Sequence, residues 1–230
     1  MLIQLVVFDM AGATVRDDDA VNSCLREALA DSRVEVTRDE VNQVMGLPKP
    51  AAIRLLLERK QPGGRLASGA LAASIHDDFL RRMICFYRTD PRVEPMPHAS
   101  SVLCRLKESG LKLALDTGFS RPIVNAILQR LDWSNGLLLD ATVASDEVAR
   151  GRPHPDLIFK AMELTGVTDP RAVAKVGDTP SDLLEGTAAG CGLVIGVTNG
   201  SHTYGQLAAH PHTHLIPSLE ALPLLVEGAR

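Results

Sequence analysis

Five short apolar runs, each stopped by a small or polar residue, restrict this chain more than any other feature in it. They cover residues 2 to 8, 111 to 116, 137 to 144, 172 to 177 and 192 to 197. All are rich in leucine or β-branched residues and too short for helices, so they read as buried strands. Helical patterns fall between them, for example Ser101 to Ser109 and Pro153 to Thr165. Strands alternating with helices predict a parallel sheet covered on both faces. Ligands of such sheets bind at the carboxyl ends of the strands, and Asp9, Thr117, Asp146 and Asp178 stand there.

Residues 16 to 92 break the alternation. Asp19 to Leu29, Arg38 to Val44, Pro50 to Arg59 and Ser68 to Arg88 are successive helical patterns with no strand among them. With 230 residues there is room for a second, smaller lobe. The expected organisation is a doubly wound, Rossmann-like α/β core of residues 1–15 and 93–230, with a helical cap of residues 16–92 inserted after the first strand. The proline cluster from Pro91 to Pro97 reads as the hinge, and Pro62-Gly63-Gly64 as a turn inside the cap. The cap helix Ile75 to Phe86 is a candidate surface for a homodimer.

Charge narrows the partners. The net charge of −4 is spread without a basic stripe or an acidic tail, so small molecules are expected and nucleic acid is not. The apolar start is too short to span a membrane and has no basic leader, so a cytoplasmic location is expected and membrane association is not. Four cysteines far apart, with no Cys-x-x-Cys pair, read as free thiols. The alternating histidines His210, His212 and His214 read as a surface or edge segment.

The strand ends carry the chemistry. Asp9 closes the first run, where a carboxylate can attack phosphorus if a cation offsets its charge. Thr117 and Gly118 follow the second run and offer a hydroxyl and backbone amides to phosphate oxygens beside a helix start. Arg152 precedes another helix, placed to offset charge in a pentacoordinate transition state, and the adjacent His154 is a candidate substrate contact. Asp178 and Asp182 sit four residues apart on a strand-to-helix loop, a suitable start for a hard cation with oxygen ligands. Read singly, each is an ordinary turn, cap or surface residue. Four together, in this order, point to phosphoryl transfer.

In these four motifs the chain resembles the haloacid dehalogenase superfamily of phosphohydrolases, over essentially its whole length, and the helical insertion resembles that family's smaller cap. The resemblance implies a magnesium-dependent hydrolase of a small phosphorus-containing substrate, with Asp9 as nucleophile. It implies Mg2+ held by the carboxylates of Asp9 and Asp178 and the carbonyl of Ala11, the phosphoryl group held by Thr117, Gly118 and Arg152, and Asp182 behind the metal ligands.

Two departures narrow the resemblance. Most phosphatases of the superfamily carry a second aspartate two residues after the nucleophile, to protonate an alkoxide leaving group. Here that position is Ala11, and most relatives have lysine in place of Arg152. Both features resemble the phosphonatase branch, phosphonoacetaldehyde hydrolase and its relatives, which cleave a carbon–phosphorus bond. A carbanion needs an electron sink, and that branch supplies a lysine imine. Lys49, in Val44-Met45-Gly46-Leu47-Pro48-Lys49, falls on the matching cap position. The branch also has a histidine three residues later, where this chain has Ala52, and a threonine at position 13, where this chain has Ala13 and Thr14 is the candidate to supply the hydroxyl instead. The expected activity is phosphonatase-like cleavage of a 2-oxoethylphosphonate. The alternative is hydrolysis of a small sugar or metabolite phosphate monoester, as in phosphoglycolate phosphatases. A phosphate-binding or receiver module is a third reading, disfavoured by the large cap.

Overall fold

The computed structural model describes residues 2–60, 69–133 and 136–228. The expected Pro62-Gly63-Gly64 turn lies outside the described residues. Strands β1 (Leu5–Asp9), β2 (Lys112–Asp116), β3 (Ala141–Val143), β4 (Val173–Gly177), β5 (Leu193–Val197) and β6 (His214–Ile216) form one sheet. Its order is β3-β2-β1-β4-β5-β6, parallel throughout. All five expected strands are present. The third is shorter than its apolar run, because this edge strand pairs only from Ala141 to Val143 and Leu137 is exposed. The histidine-rich segment contributes the sixth strand, at the opposite edge.

The strands are near-continuous apolar runs because helices cover both faces. The covering helices are α5 (Ala99–Glu108), α6 (Arg121–Arg130), α7 (Asp156–Thr165), α8 (Pro180–Ala189), α9 (Tyr204–Ala208) and α10 (Leu222–Gly228). Leu5 and Val7 of β1 point into the cluster beneath α7, while Val6 and Phe8 join the larger cluster on the other face. That alternation of period two fixes where Asp9 points. Asp9 is in register with Asp116 of β2, and Val7 with Lys175 of β4, so Asp9, Asp116 and Lys175 project from one face.

Between β1 and α5 come four helices, α1 (Ala20–Asp31), α2 (Arg38–Asn42), α3 (Lys49–Lys60) and α4 (Gly69–Thr89). A stripe on α4, Ile75, Phe79, Met83 and Tyr87, is buried at helical spacing. Helix α4 packs on α1, α3 and α6. The two connections to this helical segment lie side by side: the Arg16 N–H donates to the Glu94 carbonyl and the Met96 N–H to that of Thr14.

The loop before α3 is seated on the strand-end loops of the sheet. A methyl at Gly118 would stand 2.7 Å from the Leu47 carbonyl oxygen, and Ser181 Oγ donates to the Met45 carbonyl at 3.4 Å. Among the described residues no helix is long and apolar enough to cross a membrane.

Candidate active site

Six of the residues singled out from the sequence meet in one place. Asp9, Ala11, Lys49, Thr117, Gly118 and Arg152 line a single small cavity between the sheet and the helical segment, with Phe119 and Met45. It measures about 20 Å³, enough for a water molecule and too small for an organic substrate. An organic substrate therefore needs more room than this closed arrangement gives.

Each wall has a local cause. Asp9 ends β1, and the chain then turns through Gly12, whose φ of 92° suits glycine and whose missing side chain makes room for Asp178: a Cβ there would lie 2.3 Å from Asp178 Oδ2. The Thr14 hydroxyl donates to the Asp9 carbonyl at 2.9 Å, so it secures this turn and does not replace the hydroxyl absent at Ala13. On the next loop the Phe119 N–H donates to Thr117 Oγ1 at 3.2 Å, which leaves the Thr117 O–H free to point at a phosphate oxygen. Asp146 instead accepts the Arg121 N–H at 2.9 Å and caps α6, outside the cavity. His154 is exposed and absent from the cavity wall; adjacency to Arg152 in sequence does not bring it into the site.

Behind Asp9 lies a buried charge cluster. Arg152 is 2% exposed and ion-paired to four carboxylates: Asp9 at 2.5 Å, Glu185 at 2.9 Å, Asp182 at 3.0 Å, and Asp116. Lys175, fully buried, pairs with Asp116, Glu185 and Asp182. Burial would strip the proton from either cation, yet these carboxylates outweigh it and hold both above their ordinary range. Asp182 is lowered: Arg152 and Lys175 overcome its burial. Glu185, buried and next to Asp116, is pushed up to about 8. Sequence reading gave Lys175, Asp116 and Glu185 no role, although a lysine inside the apolar run Val173-Ala174-Lys175-Val176 is itself a signal that carboxylates surround it.

Asp178 differs from the rest. Among the described residues it is the one buried carboxylate of this cluster without an arginine or lysine partner. Its Oδ2 accepts the N–H and the hydroxyl of Ser201, both at 2.6 Å, and Ser201 Oγ lies 3.1 Å from His202 Nδ1. Its Oδ1 has no hydrogen-bond partner among the described residues. Burial and the carboxylates of Asp9 and Asp182 drive its acidity well below that of an ordinary aspartic acid, raising its pKa. Asp9 is pushed up to about 6, by burial first, with Arg152 opposing. Carboxylate oxygens of Asp9, Asp178 and Asp182 lie within 4.8 Å of one another. Asp182 has its cations already. A hard cation between Asp9 and Asp178 would supply the missing charge and restore both to carboxylates, so the residues present fit a metal ion.

On the opposite wall, Lys49 is 4% exposed and begins α3. Its Nζ lies 5.4 Å from the centroid of the Phe119 ring and makes a long 3.5 Å contact with the Leu47 carbonyl. Burial brings its pKa down to about 8, against the pull of Asp9 and Asp17. The positive end of the α3 dipole acts in the same direction as burial. An amine near 8 is in part unprotonated, and so nucleophilic, at neutral pH.

Comparison with known proteins fits this arrangement. Residues 6–196 match the family model described as haloacid dehalogenase-like hydrolase. The chain belongs to this family. It is 33% identical over 214 residues to a phosphonoacetaldehyde hydrolase of Bacillus cereus (strain B4264), covering 89% of this chain and 79% of that one. Among solved structures, a phosphonoacetaldehyde hydrolase-like protein from Oleispira antarctica superposes with a TM-score of 0.86 at 21% identity, covering 99% of this chain and 92% of that one. A predicted phosphoglycolate phosphatase from Haemophilus somnus superposes with a TM-score of 0.80 at 18% identity, covering 97% of each. At those identities the two structures share the fold with this haloacid dehalogenase-like hydrolase, and the sequence relatives place it on the phosphonoacetaldehyde hydrolase side of the family.

Proposed function

We propose that this hydrolase cleaves the carbon–phosphorus bond of a 2-oxoethylphosphonate of the phosphonoacetaldehyde type, with residues 16–92 acting as its cap. The observation that carries the reading is the buried amine of Lys49 facing Asp9 across one cavity, with Ala11 where an ester phosphatase would keep its acid. The Bacillus cereus relative, named for that substrate, supports it.

The steps follow from the walls. The neutral amine of Lys49 and the aldehyde, with one proton taken from solvent, form a protonated imine and one water. Asp9 then attacks phosphorus; as its Oδ–P bond forms, the C–P bond breaks and its electron pair moves through the carbon chain to the iminium nitrogen, leaving an enamine on Lys49. The Thr117 hydroxyl and the Gly118 amide are placed for the equatorial oxygens. Arg152, locked among four carboxylates, orients Asp9 and opposes the rise of its pKa. Water then cleaves the aspartyl-phosphate, and protonation and hydrolysis of the enamine free Lys49. Asp9, Asp178 and the Ala11 carbonyl would hold Mg2+, which when bound supplies positive charge against the entering phosphoryl group. No proton donor is needed at position 11, since the leaving electrons are taken up by nitrogen.

Borohydride added with phosphonoacetaldehyde should leave a reduced adduct on Lys49, read by peptide mass; active enzyme with Lys49 unmodified would end the reading. The second reading is a phosphatase of small monoesters, favoured by the shared fold with a predicted phosphoglycolate phosphatase. Ester turnover that survives Lys49→Ala would select it.

A further inference from the structure

Tyr87, near the end of α4, is fully buried, yet its hydroxyl has no hydrogen-bond partner among the described residues. Buried hydroxyls in folded proteins are almost always paired, because an unpaired one costs stability, and phenylalanine would fill the same space without that cost. The ring is clamped edge-on by Phe86 at 5.2 Å and by Phe119 at 6.0 Å between centroids. Phe119 is also the ring beneath the Lys49 ammonium and forms part of the cavity wall. Tyr87, Phe119 and Lys49 are therefore consecutive members of one packed row, in which Phe119 is the member on the cavity wall. The ionisable groups near enough to act on it are Asp17 on the loop before α1, Asp9 at the end of β1 and Cys24 on α1. Burial and these groups keep the phenol protonated, so it has a hydrogen bond to donate to an incoming oxygen.

We propose that the Tyr87 hydroxyl is a substrate contact, donating a hydrogen bond to the aldehyde oxygen of the phosphonate while that oxygen is lost at Lys49. The role rests on the imine reading above. When the Lys49 nitrogen adds to the carbonyl carbon, the C–N bond forms and the carbonyl π pair moves onto oxygen. One hydrogen of the neutral amine and one proton from solvent end on that oxygen, which leaves as water, and the other amine hydrogen stays on the protonated imine. Tyr87 keeps its own proton throughout: its part is to hold the oxygen and stabilise the charge that builds there. This gives the site a donor for the carbonyl-derived oxygen although position 52 is Ala52 and offers none.

Tyr87→Phe removes one oxygen atom and leaves the packing. The expected result is a fall in kcat/KM for phosphonoacetaldehyde of about tenfold or more, the scale of one lost transition-state hydrogen bond. The borohydride adduct on Lys49 should form more slowly by a similar factor, while the thermal midpoint stays the same or rises. A kcat/KM within twofold of wild type, or a loss matched by a lower thermal midpoint, would overturn the proposal. Wild-type enzyme that turns over phosphonoacetaldehyde without any trappable adduct overturns the imine reading, and this role with it; that outcome is recognised on wild-type protein alone.

Discussion

The Lys49 ammonium stands 5.4 Å above the centre of the Phe119 ring, and still its pKa falls to about 8. A cation over a ring gains roughly 0.5–2 kcal/mol. Loss of water around the buried charge is the largest cause of that fall, ahead of the opposing pull of Asp9 and Asp17.

The lowered pKa has a direct kinetic sign. Imine formation begins from the neutral amine, so the rate of borohydride trapping at Lys49 should rise with pH and level off above about 8. A rate that continues to rise towards pH 10 would mean that the amine is not desolvated in solution.

The same shift predicts an opposite effect on stability. Folded Lys49 titrates near 8 and unfolded lysine near 10.5, so the penalty for burying the charge is full below pH 8 and vanishes as pH rises through this window. Its size is about 3 kcal/mol, at ~1.4 kcal/mol per pKa unit. Lys49→Met should abolish trapping and raise the thermal midpoint at pH 7, with the gain shrinking by pH 10.

Removal of Lys175 should be costly. Lys175→Met leaves Asp116, Asp182 and Glu185 with Arg152 as their remaining cation. Unpairing a buried ion cluster typically costs about 3–5 kcal/mol. Urea unfolding at pH 7 measures it, and a loss under 1 kcal/mol would show that the cluster relaxes or protonates without strain.

Magnesium should stabilise the protein through Asp178. At a concentration 100 times its dissociation constant an ion bound only by the folded state adds about 2.7 kcal/mol. Asp178→Asn should erase that increment, and should stabilise the metal-free protein because it removes a carboxylate crowded by Asp9. A thermal scan with and without Mg2+ separates the two effects.

Ala11→Asp should shift the enzyme between bond types. A carboxyl group in the cavity wall can protonate an alkoxide, so phosphate release from simple esters should rise by tenfold or more while phosphonate cleavage falls. Assay of both substrates on one preparation gives the ratio.

The sheet and most of the cavity wall were legible because buried parallel strands announce themselves as apolar runs and their ends carry the chemistry. Asp9, Thr117 and Arg152 each read singly as ordinary turn or surface residues, and only their joint order at the strand ends singled them out. Ser201 and His202 were not legible: they follow β5 in a turn without periodicity, and only strand order brings them to Asp178. β6 was read as an edge segment because its apolar residues are few and flanked by histidines. Thr14 shows the complementary error, since the nearest hydroxyl in sequence was already bound to the backbone.

The seating of Gly46, Leu47 and Pro48 on the core loops, directly before Lys49, gives the scissile bond a second duty. On the proposed reading the substrate is tethered at its aldehyde end to the lid and at its phosphorus end to the sheet. While the C–P bond is intact the molecule is a cross-link between the two lobes, and solvent stays out. Bond cleavage severs that cross-link, so the chemical step is itself the latch release, and water reaches the phosphorylated Asp9 only after the carbon fragment has stopped holding the door.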